Sequence, residues 1–139
     1  MTFRMGTAAD AAAISQIEAA TFSDAWSEEQ IKAHLDSSCG RTYVCEEEGR
    51  LFGYLLGSSI SPEGEILRVA VLPEARGRRY AERLISMLTA TVSVCFLEVR
   101  EGNASARRLY ERVGFRLVGK RKGYYKNPTE DACLYRLHT

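Results

Sequence analysis

Val69-Ala70-Val71-Leu72-Pro73-Glu74-Ala75-Arg76-Gly77-Arg78-Arg79-Tyr80-Ala81 runs from an apolar strand, through a turn begun by proline, into a basic loop that opens a helix. The first backbone N–H groups of a helix have no intrahelical partner, and the helix dipole adds partial positive charge there, so an anion is the natural occupant. Cationic side chains are disfavoured at that end. Arg76, Arg78, Arg79 and Arg83 nevertheless crowd it. An external polyanion such as a phosphate group would relieve their repulsion, whereas a solvated helix start is the plainer alternative.

Downstream, Ala81, Leu84, Ile85 and Leu88 recur at i, i+3, i+4 and i+7, the stripe of a helix lying on a sheet. Val92–Arg100 reads as the next strand. Asn103 can cap a helix through Val113, which Gly114 ends. Phe115–Lys122 and Ala132–His138 close the chain as antiparallel strands. Upstream, Ile66–Leu72 is the strand of the quoted stretch, and Arg41–Glu46 and Leu51–Ser59 form a hairpin through Glu47-Glu48-Gly49-Arg50. Ser27 caps a helix from Glu28 that turns Ile31 and Leu35 inward. Thr2–Met5 is a short strand, and Thr7 with Asp10 resembles a capping box before a helix to about Ala19. The expected architecture is a mixed α/β or α+β sheet carrying helices, in one domain of 139 residues.

Composition narrows the function classes. No apolar stretch approaches the length of a bilayer helix, and the N-terminus has no basic segment followed by an apolar core. The four cysteines show no C-x-x-C pair and no zinc-ligand spacing with His34 or His138, which points to reduced thiols in a cytoplasm, with Cys95 buried. The net charge of +1 divides unevenly: residues 1–67 hold 4 Lys/Arg against 11 Asp/Glu, and residues 68–139 hold 15 against 7. The second part suits an anionic ligand, either nucleic acid or a phosphorylated cofactor. It lacks the aromatic ladder of a single-strand binder.

Three side chains carry candidate chemistry. Val92, Val94, Phe96, Glu98 and Arg100 alternate onto one strand face, which sets the Glu98 carboxylate in line with apolar neighbours as a desolvated general base, or else in an ion pair with Arg68 or Arg100. Tyr110 shares the inward helix face with Ala106, Leu109 and Val113. It is either core or a phenol able to protonate a leaving group. Asn103 either caps its helix or reads an amide-bearing ligand.

The segments I-L-R-V-A-V-L-P-E-A-R-G-R-R-Y-A (Ile66–Ala81) and L-E-V-R-E-G-N-A-S-A-R-R-L-Y-E-R-V-G-F (Leu97–Phe115) resemble the cofactor-binding and catalytic segments of the GCN5-related N-acetyltransferases (GNAT). The subgroup they are most similar to is the bacterial ribosomal-protein alanine N-acetyltransferases, the RimI group. Ala25-Trp26-Ser27-Glu28 resembles that group's P-W-S-E segment, and Tyr124-Tyr125 its late tyrosine pair. The resemblance implies a GNAT fold: a mixed, mostly antiparallel sheet splayed at its centre, with helices on both faces. It implies acetyl-CoA as cosubstrate, with pantetheine along Val69, Ala70 and Val71 and held by Asn103. Pyrophosphate would sit on the loop begun by Arg76 and on backbone groups of Gly77, Arg78, Arg79, Tyr80, Ala81 and Glu82. Glu98 would deprotonate the incoming ammonium through water, and Tyr110 would protonate the departing thiolate, so direct attack needs no enzyme nucleophile and no metal. Trp26, Tyr124 and Tyr125 would line the groove for a protein N-terminus, the N-terminal alanine of ribosomal small-subunit protein eighteen in the RimI group. A lysine side chain or small amine, and a weakly active CoA-binding scaffold, stay open as alternatives.

Two positions depart from the pattern. Arg79 replaces the loop's central glycine, and Ala25 replaces the subgroup's proline. An arginine fits the loop if its φ is negative, which is the expectation here, with cofactor binding retained.

Overall fold

The computed structural model describes residues 1–139 and contains seven strands and four helices. In chain order these are β1 (Thr2–Met5), α1 (Ala11–Thr21), α2 (Glu28–Asp36), β2 (Gly40–Glu47), β3 (Arg50–Ile60) and β4 (Glu63–Val71). There follow α3 (Tyr80–Thr89), β5 (Val94–Arg100), α4 (Ala104–Val113), β6 (Arg116–Tyr125) and β7 (Glu130–His138). The strands form one sheet of order β1-β2-β3-β4-β5-β7-β6. Every neighbouring pair is antiparallel except β4 with β5. No helix is long and apolar enough to cross a membrane.

Side-chain alternation assigns the two faces. Tyr43, Cys45 and Leu55 point to one side, where Leu84, Ile85 and Leu88 of α3 and Tyr110 of α4 join Cys95, Leu97, Val99, Cys133 and Tyr135 in one core. Val44, Tyr54, Leu56 and Ala70 point to the other side, under Ala11, Ile14 and Ile17 of α1 and Ile31 of α2. Leu84, Ile85 and Leu88 are fully buried, each worth about 1.5–3 kcal/mol of apolar transfer.

The local signals act as their chemistry dictates. Ser27 Oγ accepts from Gln30 N–H at 3.1 Å while Gln30 Oε1 accepts from Ser27 N–H at 2.8 Å, a reciprocal capping box. Asn103 Oδ1 caps α4 through Ala106 N–H at 3.2 Å, and Gly114 follows α4 at φ 117°. At the N-terminus the Asp10 carboxylate accepts from Thr7 N–H at 2.7 Å and both its oxygens take Arg4 guanidinium bonds at 2.9 Å. The first turn there, Ala8–Asp10, is 3-10, so α1 begins at Ala11.

One irregularity positions the site. Gly57 pairs with Ile66 but Leu56 pairs with Arg68, so Leu67 is an extra residue in β4. A bulge bends its strand and sharpens the local twist. The parallel pairing of β4 with β5 covers only Glu63–Ile66 against Val94–Leu97 and stops where the bulge begins. Beyond that point the two strands run apart, each still paired on its outer side: β4 with β3, and β5 with β7.

Candidate active site

Between the diverging strands lies a cleft of about 970 Å³. Leu67–Val71 line one side, Glu98–Arg100 the other, Arg76, Gly77 and Arg79–Glu82 one end, and Asn103 and Tyr110 the wall formed by α4. The free edge of β4 follows from the ladder. Leu72 N–H donates to Phe52 O at 2.8 Å toward β3, so by antiparallel alternation the N–H and C=O groups of Val69 and Val71 point toward β5, where no strand receives them. Val71 O accepts from Arg76 Nε at 3.0 Å, which ties the basic loop to the strand end. Val69 N–H, Val69 C=O and Val71 N–H remain as a short β edge for an extended, amide-bearing ligand.

The loop before α3 is basic and leads into a helix start, chemistry that suits an anion. Gly77 has φ 79° and an added Cβ there would meet no atom within 4 Å. Arg79 has φ 62°, which corrects the expectation of a negative value. Arg79 is thus a left-handed residue directly before Tyr80, where α3 begins. Glycine adopts that conformation freely, whereas arginine holds it at a cost of about 1–2 kcal/mol. Arg79 lines the cleft, as do Arg76 and Gly77; Arg78 is exposed outside it. Arg83 stacks on Phe3 at 3.9 Å to the ring centroid.

Glu98 shares its strand face with Val94, Phe96 and Arg100 as expected, and its ion pair is a different one from those expected. The buried face of β5 is Cys95, Leu97 and Val99, and Glu98 lies on the opposite face with a side chain 25% exposed. On that side α1 and α2 pack over β2, β3 and β4, and the face of β5 that Glu98 shares with Val94 and Phe96 is half-buried and not sealed. Its ion-pair partner is Arg121 at 3.2 Å, not Arg68 or Arg100.

Tyr110 faces inward and is 7% exposed, its ring edge-on to Phe115 at 5.8 Å. Its hydroxyl has no hydrogen-bond partner in the protein and reaches the cleft rather than a sealed pocket. Burial, with smaller contributions from Tyr125 and Cys95, pushes the phenol above its ordinary range, so it stays protonated at working pH. Asn103 spends its side-chain oxygen on the α4 cap, and its amide NH2 has no partner in the protein. Capping and ligand reading are therefore compatible.

The aromatic residues divide. Tyr125 lines the cleft and its phenol is pushed up to about 12, by burial first and by Glu98 second. Tyr124 is 50% exposed and meets Tyr125 edge-on outside the cleft. Trp26 packs on His34 at 5.6 Å beside the second core, away from the cleft wall.

Sequence reasoning passed over Glu18, a carboxylate at 0% exposure. It accepts from Tyr54 Oη at 2.6 Å, from Trp26 N–H at 2.9 Å and from Arg68 Nε at 3.2 Å. A buried carboxylate stripped of such partners would destabilise the fold by several kcal/mol. Its spacing was the available signal: Glu18 stands i+4 from Ile14 and i+7 from Ala11, on the apolar stripe of α1.

Three comparisons bear on this geometry. The family model described as Acetyltransferase (GNAT) family matches residues 11–115. The [ribosomal protein bS18]-alanine N-acetyltransferase of Haemophilus influenzae is 33% identical over 132 residues, 84% of this chain and 89% of that protein. Among solved structures, the ribosomal-protein-S18-alanine N-acetyltransferase of Escherichia coli superposes with a TM-score of 0.89 at 24% identity, over 99% of this chain and 92% of the other. Arabidopsis thaliana NAA60 in complex with acetyl-CoA superposes at 0.87 and 20% identity, over 99% of each chain.

Proposed function

Because this chain belongs to the acetyltransferase (GNAT) family, we propose that it moves an acetyl group from acetyl-CoA to the α-amino group of a protein N-terminus, with the N-terminal alanine of ribosomal protein bS18 as the acceptor. The observation that carries this reading is the cleft beside the bulge at Leu67, which has an unpaired β edge, a helix start, the Glu98 carboxylate and the Tyr110 phenol around one space.

Each part of acetyl-CoA finds chemistry suited to it. The edge at Val69 and Val71 can pair with the amides of pantetheine, and the Asn103 amide can add a donor. The first N–H groups of α3, with Gly77 and the guanidinium groups of Arg76 and Arg79, suit the pyrophosphate. With the thioester between the strands, the Val71 N–H is available to its carbonyl oxygen. Glu98 takes a proton from the acceptor ammonium through water, and Tyr110 returns one to the departing sulfur, so the amine attacks the thioester directly. Asp24 and Tyr125 line the same cleft as Glu98, which suits them to meet the acceptor. Cys45, Cys95 and Cys133 are buried free thiols, in keeping with action in the cytoplasm.

The test is acetyl transfer to a peptide beginning with the bS18 N-terminal sequence, followed by mass spectrometry. The expected product is acetylated at the α-amino group, with one CoA thiol released per acetyl transferred. Acetylation of internal lysines alone, or tight acetyl-CoA binding without turnover, would replace this reading with the lysine or scaffold alternative.

Arg79 supplies a second test. Arg79→Gly is expected to raise thermal stability, because relief of the left-handed arginine outweighs the extra flexibility of glycine in the unfolded chain. It is also expected to weaken acetyl-CoA binding by roughly 1–3 kcal/mol, the scale of a charge-assisted hydrogen bond, most strongly at low salt. Calorimetry checks the affinity and a melting curve the stability; tighter binding in the glycine variant would show that Arg79 obstructs the cradle.

A further inference from the structure

We propose that Arg68 and Arg100 are positioning residues for the acceptor, each pinning one wall of its entrance to the strand that also builds the cofactor slot; this rests on the acetyltransferase reading above. Both stand just past the last β4–β5 pair, Ile66 with Leu97, and the register places them on the same sheet face as Glu98.

Arg68 reaches toward the segment between α1 and α2. Its Nη2 donates to Asp24 O at 2.8 Å and to Asp24 Oδ1 at 3.1 Å, and its guanidinium covers the Phe22 ring at 4.1 Å. Its Nε donates to Glu18, whose other oxygen holds Trp26 N–H, so the same segment is fastened at Asp24 and again at Trp26. Arg100 does the equivalent for the segment between β6 and β7. Nη2 donates to Lys126 O at 2.9 Å, Nη1 to Pro128 O at 3.0 Å and to Glu130 Oε1 at 3.2 Å, and the guanidinium lies 4.5 Å from the Tyr125 ring centroid.

The first segment supplies Phe22, Ser23 and Asp24 to the cleft beside Glu98, and Tyr125, the last residue of β6, enters it where the second segment begins. Both arginines have carboxylate partners, Glu18 and Asp24 for Arg68 and Glu130 for Arg100, so they do not present bare positive charge to an incoming ammonium. A planar fork that bridges two backbone carbonyls fixes a loop in a way that a point charge does not. The walls that meet the acceptor are thereby held in register with the β4 edge and with Glu98. The phosphate cradle at the start of α3 uses neither arginine.

Arg68→Lys and Arg100→Lys test this directly, since lysine keeps the charge and leaves the buried Glu18 with a cationic partner. Steady-state kinetics with the alanine-starting peptide should show the peptide KM raised about ten-fold or more and kcat changed less than three-fold. The acetyl-CoA affinity by calorimetry should stay within two-fold. Amide hydrogen exchange should quicken at residues 22–26 in Arg68→Lys and at residues 125–129 in Arg100→Lys. A purely structural role would lower the active fraction, and so kcat, with the peptide KM and loop exchange unmoved; that outcome overturns the proposal. Arg100→Gln provides a further variant that removes the fork without burying a lone carboxylate. A wild-type protein that acetylates no peptide N-terminus would overturn the functional reading instead, while unchanged exchange in both loops would overturn the pinning whatever the activity.

Discussion

Glu98→Gln is expected to lower acetyl transfer by roughly 10²–10⁴-fold while acetyl-CoA affinity stays within about two-fold. Glutamine keeps the volume and one acceptor oxygen, so the walls of the cleft should not collapse. What it removes is the ability to take a proton from the acceptor ammonium, without which the amine has no free pair for the thioester. The geometry suits a base that works through water, because the side chain is a quarter exposed and not sealed. Its ion pair with Arg121 at 3.2 Å is carried by a guanidinium on an exposed side chain of β6, which an arriving ammonium can replace as the partner of the carboxylate. Initial rates under saturating acetyl-CoA, together with calorimetry, check both halves of the expectation. A variant with wild-type turnover would remove Glu98 from the mechanism and leave its pairing with Arg121 as its whole role.

What the sequence made legible follows from whether the deciding contact is local. The stripe Ala81, Leu84, Ile85, Leu88, the cap at Ser27 and the termini at Asn103 and Gly114 each depend on residues within a turn or two, and each element formed where the spacing put it. The start of β4 did not show: the apolar run begins the strand only at Ile66, and it is pairing on both sides, with β3 and with β5, that makes Glu63-Gly64-Glu65 strand. The insertion of β7 between β5 and β6 is likewise a long-range choice that alternation cannot express. The divergence of β4 from β5 reached the reading only through family resemblance. Its physical cause is the single extra residue Leu67, which no composition signal marks. For Glu98, strand periodicity correctly gave its companions Val94 and Phe96 but not its ion-pair partner Arg121. For Arg79, the identity of the residue argued against the backbone conformation that the loop imposes. Glu18 and Arg68 sit 50 residues apart in the chain, and neither alone announces a buried pair.

Tyr110→Phe should reduce kcat by roughly 10²–10³-fold, with little change in fold stability. The two effects separate because the phenolic oxygen makes no hydrogen bond to the protein, while the ring carries the packing against Phe115 and the core of α3 and β5. Phenylalanine retains that ring, so the melting temperature should move only slightly. The hydroxyl is a donor that burial keeps protonated, and a thiolate leaving its thioester needs a proton at that moment. The sign of the pH dependence follows from the upward shift. Unfolded chains ionise this phenol near its ordinary value of about 10, while the folded protein resists. Its contribution to stability is therefore complete below that pH and is lost as the pH rises through the folded-state value. Wild-type kcat should accordingly show no loss from Tyr110 ionisation below about pH 10, and the phenylalanine variant should be slow at every pH without a displaced alkaline limb. If the variant instead matches wild type while CoA release stays fast, water reaching the cleft supplies the proton, and the inward face of α4 at Tyr110 serves packing alone.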